Sequence, residues 1–153
     1  MRAVIQRVRA ASVVVDGAIT GAIDRGLLVY VGVEEGDGRD DLEFVARRIA
    51  GLRIFEDAEG KMNLALAQLE RRADERIGIL AVSQFTLHGD LRKGRRPSYN
   101  RAAAPREANR LYEAIVELWR HEGIVVETGV FGAHMDVTYT NDGPVTLLLD
   151  SRI

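Results

Sequence analysis

Apolar and polar positions alternate with a period of two at both ends of the chain, which is the spacing of strands with one buried face. Residues 2–8 predict a strand, and Ser12–Asp16 and Ala18–Ile23 predict two more around Asp16-Gly17, a dipeptide suited to a tight hairpin. Leu27–Val33 and Ile77–Val82 are continuous apolar runs, as expected of central strands buried on both faces. The period changes between them. Leu42, Val45, Ala46, Ile49 and Leu52 form one apolar stripe of a helix, with Asp37 or Asp40 as its expected cap. Arg53–Phe55 is expected to be extended, followed by a turn at residues 56–60. A second helix is predicted from Pro105, burying Ala108, Leu111, Tyr112, Ile115, Leu118 and Trp119 and ending at Gly123. Strands are then expected at Ile124–Val130, Met135–Thr140 and Val145–Leu149, the last two joined by a turn at Asn141-Asp142-Gly143-Pro144. Many strands with two main helices, and no regular βαβ alternation, predict an α+β fold: a single domain over 1–153 with a mostly antiparallel, barrel-like sheet.

The composition fits a soluble globular chain, with 46% hydrophobic and 29% charged residues and few aromatics, so the core is expected to be aliphatic. There are no cysteines, which excludes disulfides and thiolate chemistry. The N-terminal MRAVIQRVRA lacks the apolar stretch of a secretory signal, and no run approaches a membrane span, so a cytoplasmic protein with no membrane partner is expected. Net charge is −2, but its distribution is uneven. Residues 88–101 carry Arg92, Lys93, Arg95, Arg96 and Arg101 against Asp90 alone, a local balance of +4, which leaves −6 on the remainder. A basic loop on an acidic body is either a solvated surface loop or a phosphate contact.

The common catalytic constellations are missing. His88, His121 and His134 are widely spaced without a metal-ligand pattern, and neither a GxSxG elbow nor a phosphate-binding glycine loop occurs. No metal and no cofactor are expected. Two segments remain: Ser83-Gln84-Phe85-Thr86-Leu87, where an apolar strand ends in hydroxyl and amide groups, and Asn141-Asp142-Gly143-Pro144-Val145-Thr146. Each alone is explained by a strand end or a turn.

Together, SQFTL at 83–87 and NDGPVT at 141–146 resemble the two defining motifs of the D-aminoacyl-tRNA deacylase family. The likeness continues through MRAVIQRVRAASVVVDG at the N-terminus, GLLVYVGV, LRIFED with the following KMN, KGRRPSY at 93–99 and FGAHM at 131–135, in order along nearly the whole chain. His88-Gly89 departs from the pattern, since the family often has an aromatic followed by a small residue there; His88 is taken as a tolerated substitution.

The resemblance implies an esterase that releases D-amino acids from aminoacyl-tRNA and is also active on glycine mischarged to alanine tRNA. It implies a homodimer with active sites at the interface and a cis Gly143-Pro144 bond, this turn reaching into the partner's pocket to select handedness. Phe131, Met135 and Asn141 are expected beside it. Ser83, Gln84, Phe85 and Thr86 are the catalytic candidates, with either the Phe85 and Thr86 amides as an oxyanion hole or Thr86 as nucleophile. Water or the tRNA's own ribose hydroxyl would assist attack. Arg92, Lys93, Arg95 and Arg96 are expected to hold tRNA phosphates. Two other readings are a threonyl-tRNA-synthetase-like editing domain acting on L-seryl-tRNA and an RNA-binding module without catalysis; a scaffolding protein leaves both motifs unexplained.

Overall fold

The strands expected at residues 2–8 and 12–16 are one, β1 (Arg2–Val15), in the computed structural model, which describes residues 1–153; its alternation of buried positions is interrupted at Arg7–Ala10. Asp16 and Gly17, both at positive φ, turn the chain into β2 (Ala18–Ile23), and β3 (Gly26–Gly32) follows. Helix α1 (Arg39–Ala50) leads to the small hairpin of β4 (Phe55–Glu56) and β5 (Met62–Leu64). Strand β6 (Gly78–Ser83), helix α2 (Pro105–His121), β7 (Val126–Thr128) and β8 (Asp136–Asp150) complete the chain.

β1 organises the sheet. It pairs antiparallel with β2, β3 and β8, while β3–β6 and β6–β7 are parallel, giving the order β2-β1-β3-β6-β7 with β8 also on β1. The sheet curls toward a barrel. Gly21 of β2 presses against β7 so closely that a methyl there would stand 2.5 Å from the Thr128 carbonyl oxygen. Both helices cover one face, where Ala3, Ile5, Leu27, Val29, Ile79 and Ala81 meet Val45, Ile49, Leu111, Ile115 and Trp119. Trp119 is fully buried and donates its indole N–H to the Ala46 carbonyl at 3.1 Å. Val8, Val13, Leu28, Leu80 and Val82 fill the other face, so the continuous apolar runs of β3 and β6 are those of strands buried on both sides.

Four further expectations are corrected. Gly38, not Asp37 or Asp40, caps α1, and the Asp41 carboxylate accepts its N–H at 2.9 Å. Asp37 turns inward to accept from the Glu34 N–H at 2.6 Å. In α2 the buried stripe includes Val116, while Leu118 is only partly buried and Leu52 lies beyond the end of α1. Finally, Met135–Thr140 and Val145–Leu149 are not separate strands. β8 is continuous, and Asn141–Pro144 belongs to a bulge: Gln6 faces Thr146 and Val8 faces Asn141, so Asp142–Val145 all bow out opposite Arg7. Asn141 clamps the two ends, its Nδ2 donating to the Arg7 and Val145 carbonyls, both at 3.0 Å.

Candidate active site

β6 ends where its apolar run meets Ser83, and the chain then tightens into a 3-10 turn, Phe85–His88. The Gln84 N–H donates to the Val31 carbonyl at 2.8 Å, which ties the turn to β3. Within it, bonds run from the Leu87 N–H to the Gln84 carbonyl and from the Gly89 N–H to the Thr86 carbonyl. This ladder leaves the amides of its first two residues, Phe85 and Thr86, without partners inside the turn. Arg2, paired with Asp150 at 2.7 Å, donates to the Leu87 carbonyl at 3.1 Å and braces the turn from β1. The Gln84 side-chain amide donates to the Thr86 hydroxyl.

The turn opens on a largely apolar cleft of about 610 Å³. Ser83, Gln84 and Phe85 form one wall, Phe131 and Met135 another, and Ala102–Pro105 with Tyr112 a third. Tyr112 donates its buried hydroxyl to the Ala81 carbonyl at 2.9 Å, and burial pushes its phenol well above the usual range, so it stays protonated. At the mouth, Phe85 and Tyr99 meet edge to face with centroids 5.1 Å apart; Phe85 is 55% and Tyr99 37% exposed. Two such rings offer exposed π-faces at the rim, a surface suited to a planar ligand.

Sequence-predicted residues therefore divide. Ser83, Gln84, Phe85, Phe131 and Met135 are brought together around the cleft, whereas Thr86, exposed at the next position of the turn, does not line it. Gly143, Pro144 and Asn141 do not line it. The Gly143–Pro144 peptide is cis, and both residues are exposed on the β8 bulge. Arg7 is buried beneath the bulge, donating to the Ile54 carbonyl at 2.6 Å, with Asp142 Oδ2 3.1 Å from its Nε. Of the basic loop, Arg92 is engaged by Asp90, its Nε 2.9 Å from Oδ1, and this guanidinium holds the Asp90 carboxyl well below the usual range. Lys93, Arg95 and Arg96 are exposed and have no acidic partner. The walls from Tyr99, Ala102–Pro105 and Tyr112 were missed by the sequence reading. Tyr99 had a signal, its place in KGRRPSY; a helix-stripe tyrosine such as Tyr112 had none. No three His, Asp or Glu side chains are grouped to hold a metal ion.

A model of the family described as D-Tyr-tRNA(Tyr) deacylase matches residues 4–150. The chain belongs to this deacylase family. The D-aminoacyl-tRNA deacylase of Anaeromyxobacter dehalogenans (strain 2CP-C) is 57% identical over 152 residues, covering 99% of this chain and 98% of that one. The enzyme of the same name from Thermotoga petrophila is 54% identical over 151 residues, 99% of this chain and 97% of its own. Among solved structures, the c-Myc DNA Unwinding Element Binding Protein superposes with TM-score 0.87 at 38% identity over 98% of both chains. A probable eukaryotic D-amino acid tRNA deacylase superposes with TM-score 0.74 over 97% of both chains; at 17% identity it shows the deacylase fold alone.

Proposed function

We propose that the cleft hydrolyses the ester joining a D-amino acid to the 3′ end of tRNA. The observation that carries this reading is the pair of unpartnered amides, Phe85 and Thr86, at the head of a braced turn beside an apolar cleft. An aminoacyl ester next to an α-ammonium group is already activated, so attack by water or by the neighbouring ribose hydroxyl needs mainly positioning and an oxyanion site. Thr86 is the weaker candidate for nucleophile: its hydroxyl accepts from Gln84, and no base stands beside it. The rim aromatics suit the terminal base, and Arg92, Lys93, Arg95 and Arg96 suit the phosphates behind it.

Chiral selection is assigned to Gly143–Pro144 of a second copy. The bulge does not line its own cleft; it is pinned by Asn141 and Arg7 and presents exposed backbone with little side chain. Main-chain oxygens hold the α-ammonium group and leave no space for an L side chain, so D side chains are accepted broadly and glycine, which has none, is a second substrate. A homodimer is part of this reading. β8 pairs only with β1, and its outward-facing Leu148 is 83% exposed, beside an open hollow of about 490 Å³ formed with Val4, Phe44 and Ile153. Such an apolar surface is an expected contact between copies. A substrate of charged tRNA makes the cytoplasm the proposed workplace. No helix is long and apolar enough to cross a membrane.

The test is release of tyrosine from matched D- and L-tyrosyl-tRNA by the purified protein. Rapid release from the D ester alone is expected. Equal rates on both, or preference for L-seryl-tRNA, refutes the proposal.

A further inference from the structure

Behind the catalytic turn lies a buried polar cluster for which the proposed reaction has no use. His88 closes the turn, and its side chain is wholly enclosed. Neither ring nitrogen has a well-aligned hydrogen-bond partner, although the Gly32 backbone lies close enough to favour the protonated ring, and Glu34 Oε2, also unpartnered, stands 3.9 Å from His88 Nδ1. Buried polar atoms without partners are rare because each gives up its hydration for nothing, so a carboxylate oxygen and an imidazole nitrogen left facing each other require a role. The other Glu34 oxygen, Oε1, accepts from Arg101 Nε at 2.8 Å and has Arg152 Nη1 at 3.6 Å. The Glu35 N–H also donates to the Arg101 carbonyl at 2.9 Å, and Glu34 forms a bridge with Ala102. One carboxylate therefore faces the end of the basic segment with one oxygen and the end of the catalytic turn with the other.

The opposite side of the ring is equally confined. Gly32 is wedged so that a methyl on it would meet the Gln84 carbonyl oxygen at 2.8 Å and His88 Nε2 at 3.1 Å. The ring's position thus determines how near β3 the backbone of Gln84–Leu87 can lie.

We propose that Glu34 and His88 are positioning residues for the deacylation: a buried carboxylate–imidazole pair that, anchored to the basic segment through Arg101, sets the aim of the Phe85 and Thr86 amides. Neither side chain touches substrate. The inference rests on the deacylase reading for its kinetic consequences, but not for the structural link itself.

Single-turnover deacylation of D-tyrosyl-tRNA, together with amide NMR spectra of the full chain, tests it. A sub-ångström shift of oxyanion donors is expected to slow Glu34→Gln and Arg101→Gln about ten-fold. KM should change by no more than about two-fold, because ground-state binding is not what the pair controls. The Phe85 and Thr86 amide resonances should move in both variants, and Glu34→Asp should recover part of the rate. Arg101 is half exposed, so its variant serves if the Glu34 variant does not fold. Unmoved Phe85 and Thr86 resonances in Arg101→Gln overturn the proposal, as does a loss confined to KM. An inactive wild type would refute the deacylase reading instead, and the resonance comparison would still decide the link.

Discussion

Gly32→Ala is the sharpest probe of the turn, because it adds one methyl directly beneath it. Gly32 has an ordinary backbone conformation, so the substitution introduces no torsional strain and acts through space alone. The new Cβ would lie 2.8 Å from the Gln84 carbonyl oxygen and 3.1 Å from Leu87 Cβ, where ordinary contact begins at 3.4 Å. Relief therefore needs a separation of about 0.6 Å between β3 and the turn. The Gln84 N–H bond to Val31 and the Arg2 bond to Leu87 both resist it. Overpacking of this kind costs about 1–3 kcal/mol. The functional cost is larger. A 1 Å misplacement of a catalytic group can cost about 10²-fold and loss of an oxyanion donor about 10²–10³-fold, so a 10- to 100-fold fall in the single-turnover rate is expected. The assay is single-turnover release from D-tyrosyl-tRNA below the melting temperature, with thermal unfolding measured in parallel. A rate within about two-fold of wild type, with the melting temperature lowered as predicted, would show that the turn has moved without consequence; the oxyanion assignment would then be refuted.

Four further outcomes follow. Thr86→Ala should keep the rate within about ten-fold if main-chain amides carry the reaction, whereas a loss of about 10³-fold with an unchanged melting temperature would make the hydroxyl the nucleophile. Replacing Arg95 and Arg96 by Ala should raise KM and reduce the slope of log affinity against log salt by about 1–2, for two lost phosphate contacts; an unchanged slope removes the loop from the tRNA interface. His88, pushed below its ordinary value of 6.5 chiefly by burial, binds fewer protons folded than unfolded; Glu34 and the Gly32 backbone oppose this, while Arg2 and the N-terminal ammonium add to it. Stability should therefore fall as pH drops below about 6.5, by up to about 1.4 kcal/mol per unit, and denaturant titrations of His88→Leu should lack that loss. If the proposed dimer forms through β8, Leu148→Glu should yield monomers by sedimentation and abolish deacylation, since each cleft would lose the Gly143–Pro144 bulge of a second copy; active monomers would refute the shared site.

The helices and central strands were legible because each rests on a single local period: the Ala108–Trp119 stripe and the Leu27–Val31 run admit few alternatives. What failed depended on partners distant in sequence. Asn141-Asp142-Gly143-Pro144 has the composition of a turn, and only its pairing with Gln6 and Val8 makes it a bulge within one strand. The α1 cap failed for a similar reason. Asp37 is a good capping residue by type, but it is drawn inward to the Glu34 amide and to the N-terminal ammonium 2.7 Å away, a group no local window contains.

The same distinction governs the site. A triad is written in side chains, whereas here the groups proposed to act are amides that every residue except proline possesses. Motif resemblance could locate Ser83–Leu87, but nothing in the spelling of SQFTL says that Phe85 and Thr86 are the amides left over when Leu87 and Gly89 complete the turn. What is specific lies around them: Gly32 leaving room, Arg2 and Val31 holding the backbone down, and His88 filling the space behind. His88 shows the limit of reading residue types alone. Taken from the sequence it was a tolerated substitution for an aromatic; in the fold its ring is as buried as an aromatic would be, yet it brings one nitrogen to face a carboxylate and the other against Gly32. A site built from main chain is encoded in the residues that shape the backbone, and those are found by asking what each would displace.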